Sequence, residues 1–266
     1  MTGAALYSDD RGLNYGDGLF ETVRASAGRA PLWSRHRDRL ALGAMRLGIP
    51  FPARLIESRF AAQLAQADQA VIKVVLTRGR GGRGYSEPKP LQPTLLVQQH
   101  PLRLPPAQRY QDGISVGICD IRLASQPVLA GIKHLNRLEQ VLARRQVDQA
   151  GWDDGLLLGS NGEPLELTAM NLFARFGDEL WTPDLALAGV AGVMRSYLID
   201  QLAVEMGLRV RVASGTLSQL RNADELFACN SVAGILPVRK LALWNWPVGD
   251  LTRALQGKVS QLFNGG

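Results

Sequence analysis

The sequence has 266 residues and a formal net charge of +6, which is enough chain for one large domain or two modest ones. Basic residues are spread along it without a run of five or more, so the charge does not indicate nucleic-acid binding. The two cysteines lie far apart, the three histidines form no metal-ligand motif, and no apolar run is long enough for a membrane span. We expect a cytoplasmic protein that binds no metal, nucleic acid or membrane.

The first predicted elements are a glycine turn and a strand. Gly16 and Gly18 lead into a run that contains Phe20 and Thr22. Glycine permits a left-handed conformation or a close backbone approach. The pattern is equally typical of a plain hairpin, so it does not by itself place Phe20 or Thr22 in a site.

A helix is predicted to open at His36, with Leu40 and Ala44 on one face and Gly48 as its stop. Arg39 lies near the predicted start of this helix. Its planar guanidinium could bind two oxygens of a phosphate at once. The same spacing also suits a surface arginine in an ion pair.

A buried strand over 70–77 leads into the sequence RGRGGRGYS at 78–86. Glycines let backbone N–H groups approach an anion, and arginines add charge. A Walker A motif is excluded, because no Gly-Lys-Ser/Thr follows. A carboxylate-binding loop that uses Arg83 and Tyr85 remains, with a glycine-rich turn bearing solvated arginines as the alternative.

After a strand at 94–99, prolines at 101, 105 and 106 indicate a domain boundary. We predict a smaller α+β domain at 1–105, a linker at 106–112 and a larger, strand-rich domain at 113–266. The larger domain begins with a strand at 114–122.

The segment GIKHLNRLEQVL at 131–142 carries one of only five lysines, against 25 arginines. A lysine can serve as a neutral amine when burial lowers its pKa, whereas arginine stays protonated. Leu135, Leu138 and Val141 fall at helical spacing, and Gly151 offers a stop, so Lys133 is predicted at a helix start. A solvated lysine at that position is the alternative.

Further candidates lie in the C-terminal half. Glu166 lies in an apolar strand, where a carboxylate is costly without a partner. Gly189–Arg195 precedes a helix whose first N–H groups could bind an anion. An ordinary strand end and an ordinary helix entry explain the two patterns equally well. A last amphipathic helix is predicted at 250–263.

These motifs together resemble the 4-amino-4-deoxychorismate lyases. The resemblance rests on GIKHLNRLEQVL, on H-x-x-R-L at 36–40, on the loop at 78–86 and on E-x-x-x-x-N-L-F at 166–173, and it extends from Gly16 to about Pro237. Those lyases are fold-type IV pyridoxal-phosphate (PLP) enzymes, like the branched-chain and D-amino-acid aminotransferases. The resemblance implies a two-domain α/β fold like that of D-amino-acid aminotransferase, a homodimer, and an active site in the cleft between the domains.

The resemblance also implies a role for each candidate. Lys133 would carry PLP and act as the base, and Glu166 would meet the pyridine nitrogen. The reaction implied is conversion of 4-amino-4-deoxychorismate, a dicarboxylate, to 4-aminobenzoate and pyruvate, with transamination of D- or branched-chain amino acids as the alternative. The phosphate would be held by Arg39, Val193, Met194, Ser231 and Val232, and the substrate would be met by Phe20, Thr22, Arg83 and Tyr85.

Overall fold

The computed structural model describes residues 6–264, which fall into two compact units. Unit 1 runs up to Arg103 and also contains Ile132–Arg137. Unit 2 comprises Leu104–Gly131 and the chain from Leu138 onward. The predicted boundary at 106–112 is close to this division, but the segment with Lys133 groups with unit 1 rather than with the predicted C-terminal domain. Residues 1–5 and 265–266 of the predicted domains lie outside the described residues.

Unit 1 contains, over residues 6–103, an antiparallel sheet of three strands in the order β1-β2-β3. Residues alternate along β1, so that Leu19, Glu21 and Val23 are buried while Phe20 and Thr22 are only half-buried. This alternation is the period of a strand with one covered face. The elements of unit 1 are α1 Arg11–Tyr15, β1 Gly18–Ser26, α2 Trp33–Leu47, α3 Ala53–Leu64, β2 Gln69–Thr77 and β3 Thr94–Pro101.

The elements of unit 2 include several short helices. The helix that starts at Val193 continues through a π-helical turn at Leu198–Leu202. The elements are α4 Ala107–Asp112, β4 Ile114–Leu123, α5 Leu138–Ala150, β5 Asp154–Gly159, β6 Pro164–Leu167, β7 Asn171–Phe176, β8 Glu179–Pro183, α6 Val193–Tyr197, α7 Ala203–Glu205, β9 Arg209–Ala213, α8 Leu217–Leu220, β10 Glu225–Asn230, β11 Gly234–Leu241, β12 Trp244–Asn245 and α9 Asp250–Asn264.

The strands of unit 2 form one nine-stranded sheet within the described residues. Its main path is β10-β11-β4-β5-β6-β7-β8-β9, and β12 pairs with β11. Because β10 also pairs with β7, the six strands β10, β11, β4, β5, β6 and β7 close into a ring. Closure removes two open edges and brings the ends of β6, β7 and β10 side by side.

Two helix predictions have different outcomes. The amphipathic C-terminal helix is confirmed, since α9 buries Leu255, Val259 and Phe263. The predicted apolar face of the helix after Lys133 is wrong. Leu138 and Val141 are 76% and 58% exposed, because α5 buries Ala143 and Val147 instead, in a cluster with residues of β4 and β5. No helix among residues 6–264 combines the length and apolar character needed to cross a membrane.

Candidate active site

Lys133 lies on a segment that pairs with the start of β1. The Phe20 N–H donates to the Lys133 carbonyl at 3.0 Å, and the Leu135 N–H donates to the Gly18 carbonyl at 2.9 Å. The segment therefore runs beside β1 like a short extra strand. The predicted helix start at Lys133 is wrong, because these backbone groups bond to β1 and α5 begins only at Leu138.

The Lys133 side chain extends over the half-buried face of β1. Its Nζ lies 4.4 Å from the centroid of the Phe20 ring, within cation–π distance. Lys73 Nζ lies 5.6 Å from the same ring, and Lys73 pairs in register with Thr22. Two amines thus flank one aromatic ring on the face that also carries Thr22. Sequence reasoning missed Lys73, since only the strand register brings it to this face.

Behind β1, on its buried face, lies a cluster of three ionisable side chains. Glu21 is fully buried and accepts hydrogen bonds from Arg39 Nε at 2.8 Å and Nη2 at 2.5 Å. His36 Nδ1 lies 2.6 Å from the same carboxylate. Burial raises the pKa of Glu21, but the charge of Arg39 and the contacts with His36 outweigh burial and lower it to about 2.

His36 is the neutral member of this cluster. Burial lowers its pKa below the usual value, although Glu21 acts in the opposite direction. At neutral pH the imidazole therefore donates its Nδ1–H to Glu21, and the compensating positive charge comes from Arg39. Sequence reasoning singled out neither Glu21 nor His36 as a site residue. The alternation that places Phe20 on one face of β1 could have placed Glu21 on the other.

Arg39 occupies a different local setting from the one predicted. α2 begins at Trp33, so Arg39 lies in its second turn rather than near its start. Glu21 already binds the Nε and Nη2 edge of the guanidinium.

The 78–86 loop of unit 1 keeps its predicted side chains at the surface. Arg83 is exposed, and Tyr85 is 85% exposed. The buried side chain of Arg11 binds the backbone of this loop. Sequence reasoning missed Arg11, because it lies on α1, more than 70 residues away from the loop. The loop therefore has outward-facing side chains on a fixed backbone.

In unit 2, Glu166 lies near the end of β6 and is only 5% exposed. The Val190 N–H donates to its Oε2 at 2.8 Å, and Gln140 Nε2 lies 3.5 Å from its Oε1. These two neutral donors orient the carboxylate. The arrangement can receive a protonated ring nitrogen.

The glycine turn before α6 is built around Asn171. Asn171 Nδ2 donates to the Val190 carbonyl at 2.9 Å. A Cβ at Gly192 would come within 1.9 Å of Asn171 Oδ1, so this position accepts only glycine without rearrangement. The turn also pairs with Gly131, whose N–H donates to the Gly189 carbonyl at 2.9 Å.

The start of α6 provides backbone donors. Its first intrahelical bond runs from the Ser196 N–H to the Gly192 carbonyl, so the Val193 and Met194 amides come before the hydrogen-bonding ladder of the helix. Such amides are suited to phosphate. Arg195 is buried and anchors the helix start to β8 through Thr182 Oγ1 and the Pro183 carbonyl.

Ser231 and Val232 lie in the turn after β10. The Val232 N–H donates to Asn230 Oδ1 at 2.9 Å, so this amide already has a partner within the turn. The strand register puts this turn close to Glu166, because Asn171 pairs with Glu166 on one side and with Cys229 on the other. Unit 2 thus brings together Glu166, the start of α6 and the 230–232 turn.

A family model for amino-transferase class IV matches residues 18–241. This chain belongs to the class IV aminotransferase family. The match confirms the family predicted from the sequence motifs and, with the solved structures, the two-domain α/β fold.

Individual members of the class IV family are similar over nearly the whole chain. Aminodeoxychorismate lyase from Vibrio harveyi is 37% identical over 94% of both chains. A putative branched-chain-amino-acid aminotransferase from Methanocaldococcus jannaschii is 33% identical over 95% of this chain and 89% of its own. The crystal structure of 4-amino-4-deoxychorismate lyase from Pseudomonas aeruginosa is 42% identical, with a TM-score of 0.93 over 97% of this chain and 95% of its own.

Proposed function

We propose that this chain is a PLP-dependent lyase that converts 4-amino-4-deoxychorismate to 4-aminobenzoate and pyruvate, a step of folate synthesis. The observation that carries the proposal is similarity over nearly the whole chain, at 37% and 42% identity, to two proteins named as this lyase. The geometry agrees with it, since Lys133 and Lys73 flank Phe20 on a face suited to an anionic substrate.

The residues present fit the cofactor. Lys133 supplies the amine that holds PLP, and the oriented carboxylate of Glu166 suits its pyridine nitrogen. When bound, PLP supplies an electron sink for a carbanion. The groups proposed to hold its phosphate are Arg39, the Val193 and Met194 amides, Ser231 and Val232.

The chain's own residues would perform the proton chemistry. Lys133, once its amine is free, removes the proton from the substrate carbon that bears the nitrogen. Glu166 keeps a proton on the pyridine nitrogen. The bond from the neighbouring ring carbon to the enolpyruvyl oxygen would then break, the ring would become aromatic, and the enolate that leaves would take up a proton at carbon to give pyruvate. Arg83 and Tyr85 orient a substrate carboxylate, while Phe20 and Thr22 line the substrate side.

The alternative is transamination, which the family and the 33% identical putative aminotransferase support. Both reactions would use Lys133 and Glu166 alike, so the products must decide between them. Purified protein with PLP is incubated with 4-amino-4-deoxychorismate. Equal amounts of pyruvate and 4-aminobenzoate support the lyase, whereas exchange of amino groups between amino and keto acids without 4-aminobenzoate contradicts it.

We also propose a cytoplasmic homodimer. Both cysteines are buried free thiols, as suits a reducing compartment. The exposed apolar residues of α5, Leu138, Val141 and Leu142, are the kind of surface that a subunit interface covers. Light scattering should give twice the mass of the chain, and a monomer at micromolar concentration would contradict the dimer.

A further inference from the structure

Arg11 is a buried cation whose side chain binds three consecutive carbonyl groups of a distant loop. It is 5% exposed. Its Nη1 donates to the Gly84 and Ser86 carbonyls, each at 3.1 Å, and its Nη2 donates to the Tyr85 carbonyl at 3.0 Å. Its Nε donates to Asp17 Oδ2 at 2.9 Å. The planar arginine fork can make all these bonds at once, whereas a lysine amine cannot.

Arg78, at the other end of the loop, is bound to the same carboxylate. Its Nε donates to Asp17 Oδ2 at 2.8 Å. Its Nη2 and Nη1 donate to the Leu47 and Gly48 carbonyls at 2.6 and 3.1 Å, at the end of α2. Asp17 therefore joins Arg11 and Arg78, and the loop is tied to the body of unit 1 at both ends.

The side chain of Tyr85 in this loop is exposed, whereas its backbone is bound. Tyr85 is 85% exposed although its carbonyl is bound by Arg11. The Tyr85 ring lies 5.4 Å from the Tyr15 ring, which in turn lies 5.0 Å from the Arg11 guanidinium. Ordering the backbone of a free loop costs conformational entropy. Because Arg11 orders the loop backbone when the protein folds, substrate binding does not have to order it.

We infer that Arg11 is a positioning residue: it holds the 79–86 loop in the conformation that presents Arg83 and Tyr85 to an anionic substrate. This inference rests on the proposed role of Arg83 and Tyr85 in substrate binding. Arg11 acts through the backbone of residues 84–86 and does not itself touch the substrate.

The chain offers a matched pair of variants. A Cβ at Gly81 would lie 2.8 Å from Arg11 Cγ and Cδ, whereas a Cβ at Gly82 would meet nothing within 4 Å. Gly81→Ala therefore displaces the Arg11 side chain while keeping its buried charge, and Gly82→Ala is the control. We expect Gly81→Ala to raise KM for the substrate roughly tenfold, with kcat and PLP affinity within about twofold, because only the ordering of the loop changes. Gly82→Ala should leave KM within about twofold.

A mutant cycle tests whether Arg11 acts through Arg83 and Tyr85. Arg11→Lys should raise KM roughly tenfold in the natural background and hardly at all in the Arg83→Ala/Tyr85→Ala background, because both side chains that the loop presents are then missing. Equal effects of Arg11→Lys in both backgrounds would overturn the inference, as would an unchanged KM in both Arg11→Lys and Gly81→Ala.

Trypsin cleavage after Arg83 reports on the loop without any catalysis. Arg11→Lys and Gly81→Ala should be cleaved there at least roughly tenfold faster than the natural protein and Gly82→Ala, because the loop opens more often. Equal cleavage rates in all four proteins would overturn the proposed role of Arg11 whatever the reaction is. Faster cleavage together with an unchanged KM in Arg83→Ala would instead overturn the substrate role of the loop, and the positioning role with it.

Discussion

Glu21 in unit 1 and Glu166 in unit 2 are both buried glutamates on strands, and they differ in their partners. Glu21 in unit 1 meets Arg39 and His36, at 2.5 to 2.8 Å, and its charge is balanced inside the protein. Glu166 in unit 2 accepts a backbone N–H from Val190 at 2.8 Å, which orients the carboxylate. Burial alone therefore does not mark a catalytic carboxylate. Glu21 is held by side chains and stabilises the fold, whereas Glu166 is oriented by a backbone N–H and is proposed to serve the cofactor.

The largest expected effect is on catalysis at Glu166. Glu166→Gln keeps the shape and the Val190 hydrogen bond but removes the charge that would hold a proton on the pyridine nitrogen. We expect kcat to fall by roughly 10²–10³-fold, with the urea midpoint of unfolding almost unchanged. Steady-state assays with PLP in excess measure the first quantity. An unchanged kcat would remove the distinction between the two glutamates.

Glu21→Gln should mainly lower the stability of the fold. It leaves the Arg39 guanidinium, which is 11% exposed, without its buried counter-ion. Breaking such a pair costs about 3–5 kcal/mol of unfolding free energy, which urea denaturation measures. Arg37→Gln, at a side chain that is 42% exposed and paired at the surface, is the matched control and should change stability by less than about 1 kcal/mol. A Glu21→Gln protein as stable as that control contradicts the account.

Acid should destabilise the fold in two steps. Burial lowers the pKa of His134 to about 4 and also lowers the pKa of His36, so stability from their neutral forms is lost as pH falls below about 6.5. The pKa of Glu21, at about 2, is below its unfolded value, so its stability is present above about pH 4.5 and is lost toward pH 2. That second step amounts to about 3 kcal/mol. In Glu21→Gln the second step should shrink. If unfolding curves show it unchanged, the acid transition belongs to other groups.

The smallest expected effect concerns Gln140, whose Nε2 lies 3.5 Å from Glu166. This distance is at the limit of a hydrogen bond. If the Val190 N–H supplies most of the orientation, Gln140→Ala should lower kcat by less than about threefold. A fall as large as that in Glu166→Gln would show that Gln140 is the principal orienting group.

The sequence predicted local elements better than the contacts between distant ones. The strands at 70–77 and 114–122 and the helix at 250–263 are present because period-two and period-3.6 patterns are local properties. The position of Lys133 could not be predicted, since its segment bonds to β1, more than 110 residues earlier in the chain. The helix pattern at Leu135, Leu138 and Val141 was misleading, because these apolar residues are not the buried face of α5.

The same limit applies to the candidate site. Glu166 and the start of α6 could be proposed from motifs, but Asn171 connects them only through strand pairing and a side-chain bond. Lys73 reaches Phe20 through the register of β1 and β2. Arg11 reaches the 78–86 loop through contacts that no spacing encodes. Neighbours in space that are distant in sequence leave no periodic signal.

The most direct test of the account is to add 4-amino-4-deoxychorismate to the purified protein with PLP while recording visible absorbance and both products. The account predicts a visible band that Lys133→Ala lacks, and pyruvate and 4-aminobenzoate released in equal amounts at a rate at least roughly 10⁴-fold above that of Lys133→Ala. Lys73→Ala should keep the band. The same products at the same rate from Lys133→Ala, or no visible band in the natural protein, would contradict the account.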